Sequence, residues 1–188
     1  GVDFRQSEVD AILGAAGDSG INLIDTAECY GDHLSESFIG NFIKSERDKW
    51  IVATKFGHHY LGFMDRTRHF DSEDIVKQLD KSLKSLKTDY VDIYQMHSGT
   101  NNEFTKEGVW ETLREQQKMG KIRYLGLSIS GNDNIFQTAK AKEIGAETIQ
   151  VVYNRLDKEP ELEVLPQCKK DKLGVLARVP LASGLLSG

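Results

Sequence analysis

Six short runs rich in β-branched and aliphatic residues recur along the chain. Longer stretches separate them, with apolar residues at three- and four-residue steps. The runs are 22–27 (NLIDTA), 50–56 (WIVATKF), 90–97 (YVDIYQMH), 124–130 (YLGLSIS), 148–154 (TIQVVYN) and 174–179 (GVLARV). Most are nearly continuous in apolar character. That pattern predicts strands buried on both faces of a parallel sheet rather than the alternating strands of an amphipathic antiparallel one. Between them, Ser72 with Glu73 and Asp74 opens a stripe of Ile75, Val76, Leu79, Leu83 and Leu86, a helix with acidic residues at the positive end of its dipole. Further helices are predicted over 7–17, 108–118 and 135–144, the last closed by Gly145.

Strand–helix alternation of this kind means an α/β fold with a parallel sheet. Six strands fit either a doubly wound open sheet or six-eighths of a (β/α)8 barrel, whose usual size is ~250 residues. The chain opens on a helix with no strand before it and stops soon after a strand. An incomplete domain is therefore the expectation. The interval 57–70 is expected to be an inserted loop carrying His58, His59, Tyr60, Phe63 and two arginines, of the kind that serves as a lid or binding element.

At 188 residues the chain is one domain or a large part of one. With 24 basic and 29 acidic residues the net charge is −5, which argues against a nucleic-acid binder. No run of ~18 apolar residues suits a membrane span, and the sequence opens without a secretory pattern. A soluble, cytoplasmic globular protein is the expectation. Cys29 and Cys168 make neither a disulfide framework nor a Cys-x-x-Cys pair. Adjacent His58 and His59 point apart in a regular backbone and no spaced histidine pair occurs, so no metal site is expected. No Gly-x-Gly-x-x-Gly turn or Gly-Lys-Ser/Thr phosphate loop is present.

The polar residues at the strand exits carry the most information. Asp25 closes the first strand, with Tyr30 just beyond it. Lys55 ends the second, His97 the third, Ser128 the fourth; Gln150 lies within the fifth, Asn154 at its close, and Arg178 ends the sixth. Carboxyl ends of parallel strands share one rim, so these groups should face one mouth. Singly, each has a structural reading: Asp25 as a cap, Tyr30 as surface, Lys55 as a snorkelling lysine, His97 as a hydrogen-bonded core residue. Jointly, they combine a tunable acid, a cation to tune it, a carboxylate to hold the cation and an imidazole to orient a substrate. A Schiff-base role for Lys55 is a competing reading at this point.

At these residues the sequence closely resembles the aldo-keto reductases. The resemblance rests on INLIDTAECYG (21–31), with Ser35, Glu36 and Gly40 following, and on WIVATKFG (50–57). It extends through SLKSLKTDYVDIYQMHSG (82–99), GKIRYLGLS (120–128) and PLASGLLSG (180–188). It covers essentially the whole chain in order. The family's usual glycine after the Tyr-Gly pair is replaced by Asp32-His33-Leu34.

The resemblance implies a (β/α)8 barrel. About six of its eight strands fall in residues 1–188, a single incomplete domain without the first and last strands, and the native protein is expected to continue past Gly188. It also implies reversible NADPH-dependent reduction of an aldehyde or ketone. Tyr30 would be general acid, Lys55 would lower its pKa, Asp25 would hold Lys55 and lie near the nicotinamide ribose, and His97 would orient the carbonyl. Ser128 and Gln150 match positions holding the nicotinamide carboxamide, although Ile129 stands where an asparagine is common. Arg178 takes the place of a stacking aromatic ring, and Leu181, Ser183 and Leu185 match a pyrophosphate-contacting loop. The partner implied is a small carbonyl compound; oligomeric state leaves no signal. Two alternatives stand: a Schiff-base barrel aldolase using Lys55, and a non-enzymatic cofactor-sensing subunit of the same family.

Overall fold

The computed structural model describes residues 4–62 and 65–188. Six parallel strands form one sheet: β1 (Leu23–Asp25), β2 (Ile51–Phe56), β5 (Val91–His97), β6 (Ile122–Ser128), β7 (Ala146–Val152) and β8 (Gly174–Arg178). Their spatial order follows the chain without reversal, each strand pairing with the next. A doubly wound sheet reverses its order at a switch point; a barrel does not. The sheet is six strands of a curled, partial (β/α)8 barrel.

Helices α1 (Gln6–Asp18), α3 (Ser72–Leu86) and α5 (Val109–Lys118) match the periodicity. The α3 stripe buries Ile75, Leu79, Leu83 and Leu86 and leaves Val76 half-buried. Helix α6 (Ile135–Lys140) is shorter than the expected 135–144, because the chain passes into turns before Gly145. Three helices leave a weaker pattern: α2 (Leu34–Ile43), α4 (Asn101–Phe104) and α7 (Val164–Asp171). No helix among the described residues is long and apolar enough to cross a membrane.

The interval 57–70 is not an irregular loop. It forms an antiparallel hairpin of β3 (His58–Gly62) and β4 (Asp65–Arg68), in which His58 pairs with Arg68 and Tyr60 with Arg66. Gly57, at φ 117°, turns the chain directly out of β2, and a Cβ there would lie 2.2 Å from the Phe70 ring. The His69 N–H donates to the Gly57 carbonyl and closes the hairpin's base. Phe63 lies outside the described residues.

Strands β2 and β5 send alternate side chains two ways. Val52 and Phe56 on β2, with Tyr94 and Met96 on β5, join the hydrophobic core under the helices. Lys55, Gln95 and His97 have the opposite parity and gather on the other face, where all three are buried. At the start of the same strands, Asp92 accepts from Arg47 (2.7 Å), Arg123 (2.8 Å) and the Val52 N–H (2.9 Å). Both guanidinium groups lie over the Tyr90 ring, at 4.1 and 4.0 Å. This cluster ties β2, β5 and β6 together at the end of the sheet away from the rim.

Candidate active site

Lys55 is fully buried, and its Nζ is held by three acceptors. Asp25 offers Oδ1 at 3.0 Å and Oδ2 at 2.8 Å, and the Thr26 carbonyl lies at 2.7 Å. Gln95, the register partner of Lys55 on β5, donates its Nε2 to Asp25 Oδ1 at 3.1 Å. An ammonium with three acceptors is fixed in place. With all three of its bonds taken inside the protein, Nζ is not presented to a substrate carbonyl as a Schiff base requires.

Tyr30 stands in the loop between β1 and α2. Its ring centroid lies 5.5 Å from Lys55 Nζ, and the ring meets His97 edge to face at 6.2 Å. The loop is fixed by helix α2. The Ser35 hydroxyl bonds that of Thr26 at 2.8 Å, and buried Glu36 accepts from Thr54 of β2 at 2.6 Å. Gly40 lets α2 seat on α3, because a Cβ there would lie 2.5 Å from the Ser85 carbonyl oxygen. This accounts for the Ser35, Glu36 and Gly40 pattern behind the tyrosine. Tyr30 remains 45% exposed, so the site opens outward on its side.

The Tyr30 phenol is pushed up to about 12, first by burial and then by Asp25, Cys29 and Glu28; Arg178 acts in the opposite sense. The sequence suggested a lowered value through Lys55. In the structure the Lys55 charge is already matched by Asp25, so little positive potential is left for a phenolate.

His97 closes β5 and rests on a group that sequence reasoning missed. Its Nδ1 lies 3.5 Å from Glu28 Oε1 and 3.8 Å from Cys29 Sγ, and its ring packs 4.4 Å from that of His58. Glu28 Oε1 also accepts the His58 N–H at 2.9 Å. Burial by itself would raise the Glu28 carboxyl, but His97 and the His58 N–H outweigh it and leave the group below its ordinary range. His58 is pushed down to about 4, chiefly by burial and then by His97. Gln95 was legible in principle, as a polar residue in phase with His97 along β5. Glu28 and His58 lie in segments with no periodicity to mark them.

The remaining candidates continue along the rim. Strand register sets Ser128 opposite His97 and Gln150 opposite Ser128, and the Ser128 hydroxyl donates to Gln150 Oε1 at 3.1 Å. Arg178 ends β8 with a buried Nε that has no partner among the described residues. Asn154 is a loop-builder: its side chain accepts from the Leu156 and Asp157 N–H groups and donates to the Val179 carbonyl. Ile129 is buried in the core. Leu181, Ser183 and Leu185 occupy an exposed turn, with Val179, Ala182 and Ser183 at positive φ.

A parallel β/α barrel whose strand ends gather a carboxylate-held lysine, a phenol and an imidazole has the architecture of a barrel oxidoreductase. Comparison with known proteins agrees. A model of the Aldo/keto reductase family matches residues 3–188, and the chain belongs to that family. It is 38% identical to "Aldo-keto reductase YhdN" of Bacillus subtilis over 93% of this chain and 52% of that protein. It is 34% identical to an Escherichia coli "NADH-specific methylglyoxal reductase" over 98% of this chain and 59% of that protein. Among solved structures, the holo form of aldo-keto reductase AKR11C1 from Bacillus halodurans superposes with a TM-score of 0.89 at 31% identity, covering 98% of this chain and 61% of that one. A Klebsiella pneumoniae aldo-keto reductase in complex with NADPH gives 0.80 at 28% identity, over 96% and 61%. The chain spans about half the length of the curated relatives it matches.

Proposed function

We propose that this chain carries the catalytic centre of an NADPH-dependent reductase that converts an aldehyde or ketone to an alcohol. The observation that carries the reading is the Lys55 ammonium, locked on Asp25 and 5.5 Å from the Tyr30 ring, with His97 at the edge of the same ring.

The residues at the rim suit a nicotinamide coenzyme. Ser128 and Gln150 set a hydroxyl and a primary amide side by side, the chemistry that pairs with a carboxamide. The partnerless buried Nε of Arg178 is a donor without an acceptor, as a site for an anionic or carbonyl group requires. In the 181–187 turn the Gly184, Leu185 and Leu186 N–H groups are already spent on turn hydrogen bonds. Phosphate contact there leans on the Ser183 hydroxyl. The coenzyme, when bound, supplies a hydride to the carbonyl carbon.

The protein's part is proton delivery and orientation. Tyr30, with its phenol held protonated, donates to the carbonyl oxygen as negative charge develops there. Lys55 and Asp25 fix the floor beneath the ring, and the charge that favours the phenolate left behind is that of Arg178. His97, braced by Glu28, hydrogen-bonds the carbonyl oxygen and sets which face meets the coenzyme. The 58–68 hairpin, with Tyr60 and Arg66 beside Tyr30, forms one wall of a cavity of about 300 Å³, where the substrate's substituents would lie.

The test is oxidation of NADPH and of NADH by the intact protein across a panel of aldehydes, ketones and sugars. The expected result is carbonyl-dependent oxidation with NADPH preferred. No oxidation of either coenzyme with any carbonyl contradicts the reading.

A further inference from the structure

The groups around His97 form a cluster whose other members do not touch the reacting carbonyl. Glu28, Cys29, His58 and His97 are all buried, and each offers one donor atom within 4.8 Å of every other. They come from three segments distant in sequence: the loop after β1, the start of β3 and the end of β5. Two donor pairs already have the spacing of a coordination sphere, Cys29 Sγ to His97 Nδ1 at 3.8 Å and His97 Nδ1 to Glu28 Oε1 at 3.5 Å. Tetrahedral zinc with bonds of ~2.0–2.3 Å has donor–donor edges of roughly 3.3–3.8 Å.

A second, independent observation points to a ligand. Glu28 Oε2 and His58 Nδ1 are both buried with no hydrogen-bond partner among the described residues, and both residues are only 2% exposed. Orphaned polar atoms on two such buried side chains call for an occupant. From these observations we infer that Glu28, Cys29, His58 and His97 form a binding site for one thiophilic divalent transition-metal ion, with Zn²⁺ the best fit.

A thiolate, two imidazoles and a carboxylate are the borderline-soft donor set that zinc prefers. Binding releases the Cys29 thiol proton to solvent, and any proton that His97 carries on Nδ1 toward Glu28 must move to Nε2 or to solvent before that nitrogen can offer its lone pair. Coordination through Nδ1 leaves the imidazole proton of His97 on Nε2. Access is open on the Cys29 side, since Cys29 lines the cavity shared with Tyr30, Tyr60 and Arg66. The Arg66 guanidinium lies 3.9 Å from Cys29 Sγ. It is exposed, so it can swing aside as a cation enters. Adjacency of His58 and His59 pointed away from metal binding because neighbouring side chains diverge. They do diverge here: His59 stacks on His69 at 4.0 Å, and His58 alone turns inward to meet donors from elsewhere.

The test uses the intact protein, stripped with a chelator and titrated with Co²⁺ while thiolate-to-metal charge-transfer absorption is followed. Zn²⁺ is then added as competitor. Expected are one Co²⁺ per chain with a charge-transfer band, displacement by Zn²⁺, and a rise in melting temperature with Zn²⁺. The band should be lost in Cys29→Ser and kept in Cys168→Ser, and the apparent Kd should weaken at least tenfold in His58→Gln. Absence of the band in the wild-type protein, its persistence in Cys29→Ser, or its loss in Cys168→Ser would overturn the assignment, and water would then bridge the orphaned atoms. The wild-type titration and the Cys168→Ser control decide the matter even where Cys29→Ser fails to fold. The readout is independent of coenzyme oxidation, so it stands or falls apart from the proposed activity.

Discussion

Lys55 and Asp25 are bonded through both carboxylate oxygens, at 2.8 and 3.0 Å, yet the two partners sit in different media. The lysine side chain is 1% exposed and the aspartate 31%. Removing either partner therefore has unequal consequences. Asp25→Asn strands a buried ammonium on neutral acceptors and should destabilise the fold by about 3 kcal/mol. Lys55→Met leaves a carboxylate that water can reach, and should cost less stability while lowering turnover by roughly 10²-fold. Denaturant unfolding of both variants checks this; equal losses of stability would contradict it.

The Asp92 cluster predicts a purely structural effect. Its carboxylate is buried and serves two arginines and a backbone N–H. Asp92→Asn should lower unfolding free energy by about 3 kcal/mol. Because the cluster lies at the strand starts, turnover per folded molecule should be unchanged.

Gly40 couples packing to the site. Gly40→Ala sets a methyl group 2.5 Å from the Ser85 carbonyl oxygen, and overpacking of this kind costs ~1–3 kcal/mol. Helix α2 anchors the Tyr30 loop through Ser35 and Glu36, so turnover should fall along with melting temperature. A drop in melting temperature with full turnover would uncouple the helix from the loop.

Cys168 offers a test in alkali. Burial first, then Asp171, raises its thiol from about 9 to about 11. Above pH 9 the unfolded chain loses this proton while the folded chain keeps it, so stability falls as pH rises from 9 through 11. The loss should approach 2–3 kcal/mol. Comparing wild type with Cys168→Ala across that range isolates the effect; parallel stability curves would refute it.

The sheet was legible because six apolar strands repeat between helices with clear start signals, and the strand ends exposed Asp25, Lys55 and His97 as polar breaks in apolar runs. Periodicity alone left an open sheet and a barrel both standing; the family resemblance chose the barrel, and the unreversed order of the strands bears that out. Helix α2 was hidden because its first residue follows His33 in a left-handed conformation, and its anchor Glu36 is a charged residue buried against Thr54. The 58–68 hairpin was read as a loop because its histidines, arginines and glycine give no alternation. Glu28 and His58 support the site by contacts between distant segments, and such pairings leave no mark in local sequence. The Tyr30 pKa required knowing that the Lys55 charge is already taken.

The central claim is that Tyr30 delivers the proton in a site built by Asp25, Lys55 and His97. Its most direct test is single-turnover oxidation of bound NADPH by a carbonyl substrate, in wild type and in Tyr30→Phe, with coenzyme affinity measured alongside. The account predicts a chemical step slowed by roughly 10²–10⁴-fold with NADPH affinity essentially unchanged. A Tyr30→Phe protein that binds NADPH and reduces substrate within twofold of the wild-type rate would contradict it.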